Sequence, residues 1–152
     1  KRAEKGVRSK TLSPYDDIIR KHAADLGWDW RMLAAVVYQE SKFSINSRSH
    51  RGAQGLMQVM PATGRKYGIE DLMNPENNLL AGTSHLKRLQ KMFEGKGFSQ
   101  DEIIRFTLAA YNAGEGNVSL WLNNPEYSDD KITLKIVPYP ETREYIKKIN
   151  NK

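Results

Sequence analysis

The sequence predicts a mostly α-helical single domain of about six to eight helices. Apolar residues recur at spacings of three and four along most of the chain, which is the period of a helix with one buried face. Helix start and stop signals separate these segments, and no stretch shows the sustained alternation of a β-strand. Only residues 132–137 could pair as a short strand. A length of 152 residues is enough for one domain with a substantial core.

Four helices are predicted in the first half of the chain. A capping side chain or a proline in the first turn favours a helix start, and glycine favours a stop. The predicted starts are, in order, Ser13-Pro14, Asp29, Pro61 and Asn74-Pro75. The stop signals of the first, third and fourth helices are Gly27, Gly68 and the pair Gly95 and Gly97. A mostly polar loop of residues 44–60 separates the second helix from the third.

Three more helices are predicted in the second half. Ser99 and Glu102 have the spacing of a capping box, and Gly114 lies just past the predicted end of the helix that they open. A short helix follows around residues 118–122. The last helix begins near Pro140, and its buried face is predicted to comprise Thr142, Tyr145, Ile146 and Ile149.

Composition limits the classes of partner. The net charge of +6 and the pI near 9.5 favour anionic partners such as nucleic acid, an anionic cell-wall polymer or a membrane surface. The basic residues are scattered, however, apart from a polar opening that we interpret as a linker or interdomain junction over residues 1–12. The chain begins with Lys1 and has no signal peptide, so we expect a piece of a longer protein with any targeting segment upstream. It has no cysteine, and no stretch approaches the roughly 20 apolar residues of a membrane span.

Glu40 is the most unusual residue of the second predicted helix. With Leu33, Val36 and Val37 it has the spacing i, i+3, i+4, i+7, so a carboxylate lies on an otherwise apolar face. Burial disfavours the charged form of a carboxyl group, as a general acid near neutral pH requires. The alternative is a residue at the helix end, half exposed or paired with Lys42.

Two further segments contain candidate site residues. In residues 55–61, Gln58 is an amide among apolar residues; it needs partners if buried, and it suits recognition of sugar acetamido or hydroxyl groups. In residues 109–114, Tyr111 and Asn112 could hydrogen-bond into a cleft, although a plain helix end would also explain the segment. The histidines lack metal-ligand spacing and there is no phosphate-binding glycine loop, so no metal or organic cofactor is predicted.

No Asp or Glu occurs between Glu40 and Glu70. Glycosidases usually pair two carboxylates, so the local sequence offers Glu40 no partner. A distant acid could still fold next to it. Otherwise water or the substrate must take the role of the second carboxylate. Assistance by an N-acetyl group of the substrate is a recognised alternative to the two-carboxylate scheme.

Four motifs together resemble the catalytic domain of lytic murein transglycosylases of the soluble-lytic-transglycosylase type. They are Glu40-Ser41, Gly55-Leu56-Met57-Gln58, Ala110-Tyr111-Asn112-Ala113-Gly114 and Tyr139-Pro140-Glu141-Thr142-Arg143-Glu144-Tyr145. Each motif alone is weak, but all four occur in order and at family-like spacing. The resemblance covers about residues 13–149 and implies a goose-type, lysozyme-like fold with a substrate cleft. The sequence departs from many relatives at residues 44–47, where they have an Asn-Pro turn.

The resemblance implies cleavage of the β-1,4 bond between N-acetylmuramic acid and N-acetylglucosamine of peptidoglycan, leaving a 1,6-anhydro end. Glu40 would protonate the leaving oxygen while the acetamido group attacks the anomeric carbon. As a base, Glu40 would then take the proton of the C6 hydroxyl. Ser49 would contact the acetamido group, and Gln58 and the backbone of Met57 would line the sugar subsites.

The other implied substrate-binding residues lie further along the chain. Tyr111 would stand beside Glu40, and Asn112 would hold that corner of the site together. Glu141 would contact bound sugar, with Tyr145 behind it. The expected partner is the peptidoglycan glycan strand. We expect the protein to be a monomer and to bind no nucleic acid.

Within the family, the sequence resembles the membrane-bound form that has an upstream solute-binding-like regulatory domain. We therefore expect the periplasm or cell envelope, possible outer-membrane association, and any membrane attachment outside this chain. Two alternatives remain open: a hydrolytic muramidase that uses water and a second acid such as Asp71, and a non-catalytic wall-binding module.

Overall fold

The computed structural model describes residues 11–150 and is mostly helical over that range. Seven helices are found within it: α1 (Asp16–Leu26), α2 (Trp30–Ser41), α3 (Pro61–Lys66), α4 (Pro75–Phe93), α5 (Gln100–Ala113), α6 (Glu115–Leu122) and α7 (Pro140–Asn150). The predicted class and helix count are confirmed. None of the described helices is both long enough and apolar enough to cross a bilayer. The predicted linker, residues 1–12, lies outside the described range except for Thr11 and Leu12.

Several of the predicted boundary residues form helix caps, although the N-cap of α1 is Tyr15, the C-cap of α3 is Tyr67, and α6 begins at Glu115. Gly27 adopts a left-handed conformation (φ 76°) at the end of α1, and Asp29 caps α2 by accepting a hydrogen bond from the Arg31 amide at 2.8 Å. Ser99 accepts from the Glu102 amide at 3.1 Å at the start of α5. Local side-chain chemistry therefore fixes where these helices begin and end.

The chain is divided between Thr83 and Ser84, inside α4, into two compact units. In the first unit α1 packs against α2, and residues with almost no exposed surface form its core: Ile19, Leu33, Val36, Leu56, Met57, Leu72 and Leu79. In the second unit α5 packs against both α6 and α7. The largest fully buried residues there are Leu86, Leu89, Phe106, Leu108 and Ile149.

The predicted short strand at residues 132–137 is wrong. The segment lies in a turn region, and the described residues hold only isolated bridges, between Arg48 and Gln54 and between Gln54 and Val59. The physical reason is Asp130, whose carboxylate accepts hydrogen bonds from the amides of Thr133 (2.7 Å) and Ile132 (2.9 Å). These bonds hold the pKa of Asp130 below its ordinary value and use amides that a strand would need for pairing.

Candidate active site

Glu40 is the next-to-last residue of α2 and is half-buried. The apolar residues on its face, Leu33, Val36 and Val37, are fully buried. Glu40 therefore lies at the end of this face and is only partly buried, which agrees with the half-exposed alternative rather than with a fully buried carboxylate. The two residues after Ser41 both have positive φ, 53° at Lys42 and 64° at Phe43, so the chain leaves the helix in a sharp turn.

Ser41 attaches the loop of the Gly-Leu-Met-Gln motif to the end of α2. It is buried, and its hydroxyl lies 2.8 Å from the Leu56 carbonyl oxygen and 3.2 Å from that of Val37. Because Ser41 directly follows Glu40, this bond fixes the position of the motif loop relative to the helix turn that holds the acid.

Gln58 is held within its own loop. Its backbone is left-handed (φ 50°), and its Nε2 donates to the carbonyl oxygens of Ser47 (3.1 Å) and Gly55 (3.0 Å). Gln58 is half-buried, and its amide, which was predicted to need partners if buried, has two of them within the loop. Both amide hydrogens are used inside the loop, so its Oε1 is the side-chain atom left to accept a hydrogen bond from a sugar.

Met57 is part of the core rather than of an exposed surface. Its side chain is fully buried, and a Cβ added to Gly82 would collide with its sulfur. The backbone amide of Met57 donates to Asn78 Oδ1 at 2.7 Å. Contact of Met57 with sugar stays a prediction for its backbone carbonyl.

Ser49 shapes the loop that precedes the motif. Its hydroxyl accepts from the Ala53 amide at 3.0 Å, and its own amide donates to the Ala53 carbonyl at the same distance. This bond leaves the hydroxyl hydrogen available to donate to an acetamido oxygen. Ser49 is half-buried.

The second unit contains the other four predicted site residues. Tyr111 and Asn112 lie at the end of α5, where the Tyr111 ring packs at 5.6 Å between centroids against His85. Asn112 Oδ1 accepts from the Thr142 hydroxyl at 2.7 Å, which connects α5 to α7. On α7, Glu141 is exposed in the first turn and Tyr145 is buried.

One residue of the first unit was missed by the sequence analysis. Asn78, on α4, is 1% exposed and bonds to Met57, Gln54 and Leu72. A weak signal was present, since Asn78 sits directly before buried Leu79 where an apolar residue is expected. Its partners are backbone groups distant in sequence, and no motif reveals them.

The histidine on α1 is buried and bonded within the first unit. His22 is 4% exposed and its Nε2 lies 3.1 Å from Glu76 Oε2. That hydrogen bond, together with one from Lys21, holds the pKa of Glu76 below its ordinary value of 4.5. Within residues 11–150 no cluster of three or more His, Cys, Asp or Glu side chains is placed to hold a metal ion.

Comparison with known proteins identifies the family. The sequence profile of the family described as Transglycosylase SLT domain matches residues 17–134. Membrane-bound lytic murein transglycosylase F from Desulfosudis oleivorans and from Yersinia pestis are each 38% identical over 107 residues, which is 70% of this chain. The chain belongs to the transglycosylase SLT domain family, as a catalytic domain of the soluble-lytic-transglycosylase type.

Solved structures agree with this assignment. The 70 kDa soluble lytic transglycosylase from Escherichia coli superposes with a TM-score of 0.71 at 30% identity, over 89% of this chain. The lytic transglycosylase Slt from Pseudomonas aeruginosa, an inactive mutant with one glutamate replaced by glutamine, gives 0.69 at 30% identity over 90% of this chain. The predicted lysozyme-like fold is thereby confirmed. The chain spans only 21–23% of the length of these relatives and structures.

Proposed function

We propose that the chain is the catalytic domain of a peptidoglycan lytic transglycosylase in which Glu40 is the acid and then the base. The observation that carries the proposal is the placement of Glu40 at the end of α2, one residue before the Ser41 bond to the motif loop. The relatives' names, which include murein, support the substrate class. Inactivity of the Pseudomonas mutant supports dependence on a glutamate.

The proposed reaction cleaves the β-1,4 bond between N-acetylmuramic acid and N-acetylglucosamine. Glu40 gives its proton to the glycosidic oxygen, and the muramoyl acetamido oxygen attacks the anomeric carbon to form an oxazolinium-type intermediate. The C6 hydroxyl then displaces the acetamido oxygen while its proton passes to Glu40, which restores the acid and closes the 1,6-anhydro ring. One carboxylate used twice agrees with the acid-free stretch from Glu40 to Glu70.

Asp71, the second acid considered for a hydrolytic muramidase, has a local structural use. Its Oδ1 accepts from the Met73 amide at 3.3 Å, and its carbonyl oxygen accepts from Asn77 Nδ2 at 3.2 Å before α4. These bonds organise the turn into α4 and favour the single-carboxylate scheme. The remaining proposed sugar contacts are Ser49, Met57, Gln58, Tyr111, Asn112, Glu141 and Tyr145.

The relatives' description as membrane-bound also supports a proposed location in the cell envelope. Their greater length supports further domains in the full protein, which we propose include an upstream regulatory domain.

Replacement of Glu40 tests whether the domain is a catalyst or a binding module. Glu40→Gln keeps the shape and removes the titratable proton, so solubilisation of purified sacculi is expected to fall by about 100-fold or more, while binding to sacculi persists. Glu94→Gln, the same change at an exposed position after α4, is expected to solubilise sacculi like the parent. Equal solubilisation by Glu40→Gln and the parent would overturn the proposal.

A further inference from the structure

Asn78 binds three backbone groups in two segments of the first unit through one buried side chain. It is 1% exposed, in the first turns of α4. Its Oδ1 accepts from the Met57 amide at 2.7 Å, and its Nδ2 donates to the carbonyl oxygens of Gln54 and Leu72, each at 2.8 Å. Backbone groups therefore use both amide hydrogens and one lone pair of the oxygen.

The peptide group between Leu56 and Met57 is held at both ends. Its N–H donates to Asn78, and its C=O accepts from the hydroxyl of Ser41, the residue after Glu40. A peptide group is planar, so two bonds at opposite ends fix its orientation. They also fix the direction in which the chain continues to Gln58.

The close approach of α4 to this loop depends on Gly55. A Cβ built there would lie 2.5 Å from the Leu72 carbonyl oxygen and closer still to Asn78 Nδ2, and the φ of Gly55 is 78°. The glycine of the Gly-Leu-Met-Gln motif therefore makes room for the Asn78 amide. The motif and Asn78 form one structural unit, although they are distant in sequence.

Resting on the function proposed above, we propose that Asn78 is a positioning residue for the cleavage reaction. It holds the peptide that connects the end of α2 to Gln58, and thereby sets where the sugar-binding loop lies relative to the Glu40 carboxylate. Asn78 itself contacts no reacting atom. The site requires an amide, because its backbone partners comprise one donor and two acceptors.

The substitution Asn78→Asp tests this requirement. A carboxyl group can still accept from the Met57 amide, but it faces the carbonyl oxygens of Gln54 and Leu72, and these contacting groups are not ionisable. It therefore replaces the amide only when protonated and able to donate. We compare turnover of soluble glycan strands by Asn78→Asp with that of the parent at the same pH. This ratio is expected to decrease about tenfold or more as pH rises from about 5 to about 8.

Asn77→Asp is the matched control. It makes the same change one residue earlier on α4, at a half-buried position where the amide bonds Asp71 through a 3.2 Å contact. Its turnover is expected to follow the parent across the pH range. A parent-like pH profile for Asn78→Asp would overturn the inference.

Hydrogen exchange of the Met57 amide, followed by NMR, provides a readout that does not depend on catalysis. At about pH 8 the exchange is expected to be at least about tenfold faster in Asn78→Asp than in the parent and in Asn77→Asp. Fast exchange combined with parent-like turnover would show that Asn78 holds the Met57 amide but does not position the loop for reaction. If the parent itself releases no muropeptides, the proposed function fails. The exchange rate of the Met57 amide still shows in that case whether Asn78 holds the loop, because it does not depend on catalysis.

Ser41→Ala keeps the inference testable if Asn78→Asp does not fold at higher pH. It removes the other bond to the same peptide, that of the Leu56 carbonyl, without placing a charge in the core. Turnover is expected to fall about tenfold in a folded protein. Parent-like turnover of folded Ser41→Ala would overturn the inference.

Discussion

Gln58 uses its side-chain amide in two ways. Its Nε2 donates hydrogen bonds to the carbonyl oxygens of Ser47 and Gly55 and so closes the loop, and its Oε1 is the atom that can accept a hydrogen bond from a sugar. A ligand at this position must therefore supply a donor, such as the N–H of an acetamido group or a hydroxyl. The left-handed backbone of Gln58 is held in place by the same two bonds.

Gln58→Glu is expected to destabilise the protein. A carboxylate oxygen would replace Nε2 opposite two carbonyl oxygens, with the loss of two hydrogen bonds and the gain of a repulsion. The free energy of unfolding at neutral pH, from urea denaturation, is expected to fall by about 1–3 kcal/mol. Gln100→Glu, the same change at an exposed residue of α5, is expected to stay within about 0.5 kcal/mol of the parent. Equal stability of both variants would contradict the geometry described for Gln58.

The sequence identified the motif residues but not what holds them. Gln58 was recognised because an amide among apolar residues needs partners, yet its partners are carbonyl groups that no side-chain pattern marks. The backbone of Met57 was predicted to line a sugar subsite and stays a prediction, while the side chain of Met57 is buried against Gly82. Asn78 was not recognised, because its role depends on a contact 21 residues away along the chain.

At the scale of elements, helix ends were predictable because their chemistry is local. Asp29 and Ser99 cap α2 and α5 through amides two or three residues away. Residues 132–137 were misjudged for the opposite reason. Their apolar pattern permits a strand, but the Asp130 carboxylate takes the amides that would have paired, and a strand partner could not be read from the sequence.

One buried hydroxyl, that of Thr142, forms a hydrogen bond between α7 and α5. Thr142→Val keeps the shape of this residue and leaves Asn112 Oδ1 without the donor that lies 2.7 Å away, so the free energy of unfolding is expected to fall by about 1–2 kcal/mol. Thr107→Val is the control: its hydroxyl donates to Ile103 O within α5, a helical carbonyl that the Thr107 amide can still satisfy. The free energy of unfolding is expected to fall less in Thr107→Val than in Thr142→Val. Equal losses in urea denaturation would contradict a specific role for the Thr142 bond.

At the scale of the whole molecule, the family and fold class were predictable and the division into two units was not. Four short motifs, in order and at family-like spacing, were enough to indicate the family. The division falls between Thr83 and Ser84, inside the continuous helix α4. Gly82 lies one residue before the division, but a single glycine inside a helix does not indicate a boundary, and a helix that passes through a boundary keeps its own periodicity.

The stability of the molecule under acid is expected to depend in part on Glu76. Its folded pKa lies below 4.5, so the charged form contributes stability above that pH, and this contribution is lost as pH falls through the folded value. The advantage of the parent over Glu76→Gln in unfolding free energy should therefore shrink between about pH 5 and about pH 3. Because the side chain is 46% exposed, the advantage is expected to be below about 1 kcal/mol.

Urea denaturation at several pH values measures this effect, with Glu94→Gln as the control for loss of one negative charge. An advantage of the parent over Glu76→Gln that is constant from about pH 5 to about pH 3, or that grows as pH falls, would contradict the pairing of Glu76 with His22 and Lys21.

The mass of the released muropeptides tests the proposed chemistry most directly. Purified sacculi digested by the parent in water enriched in oxygen-18 are expected to yield 1,6-anhydromuramoyl ends, one water lighter than hydrolytic products and without the heavy isotope. Glu40→Gln, digested in parallel, is expected to release almost none of these products. Reducing ends that contain oxygen-18 would contradict the single-carboxylate transglycosylase and identify a hydrolytic muramidase instead.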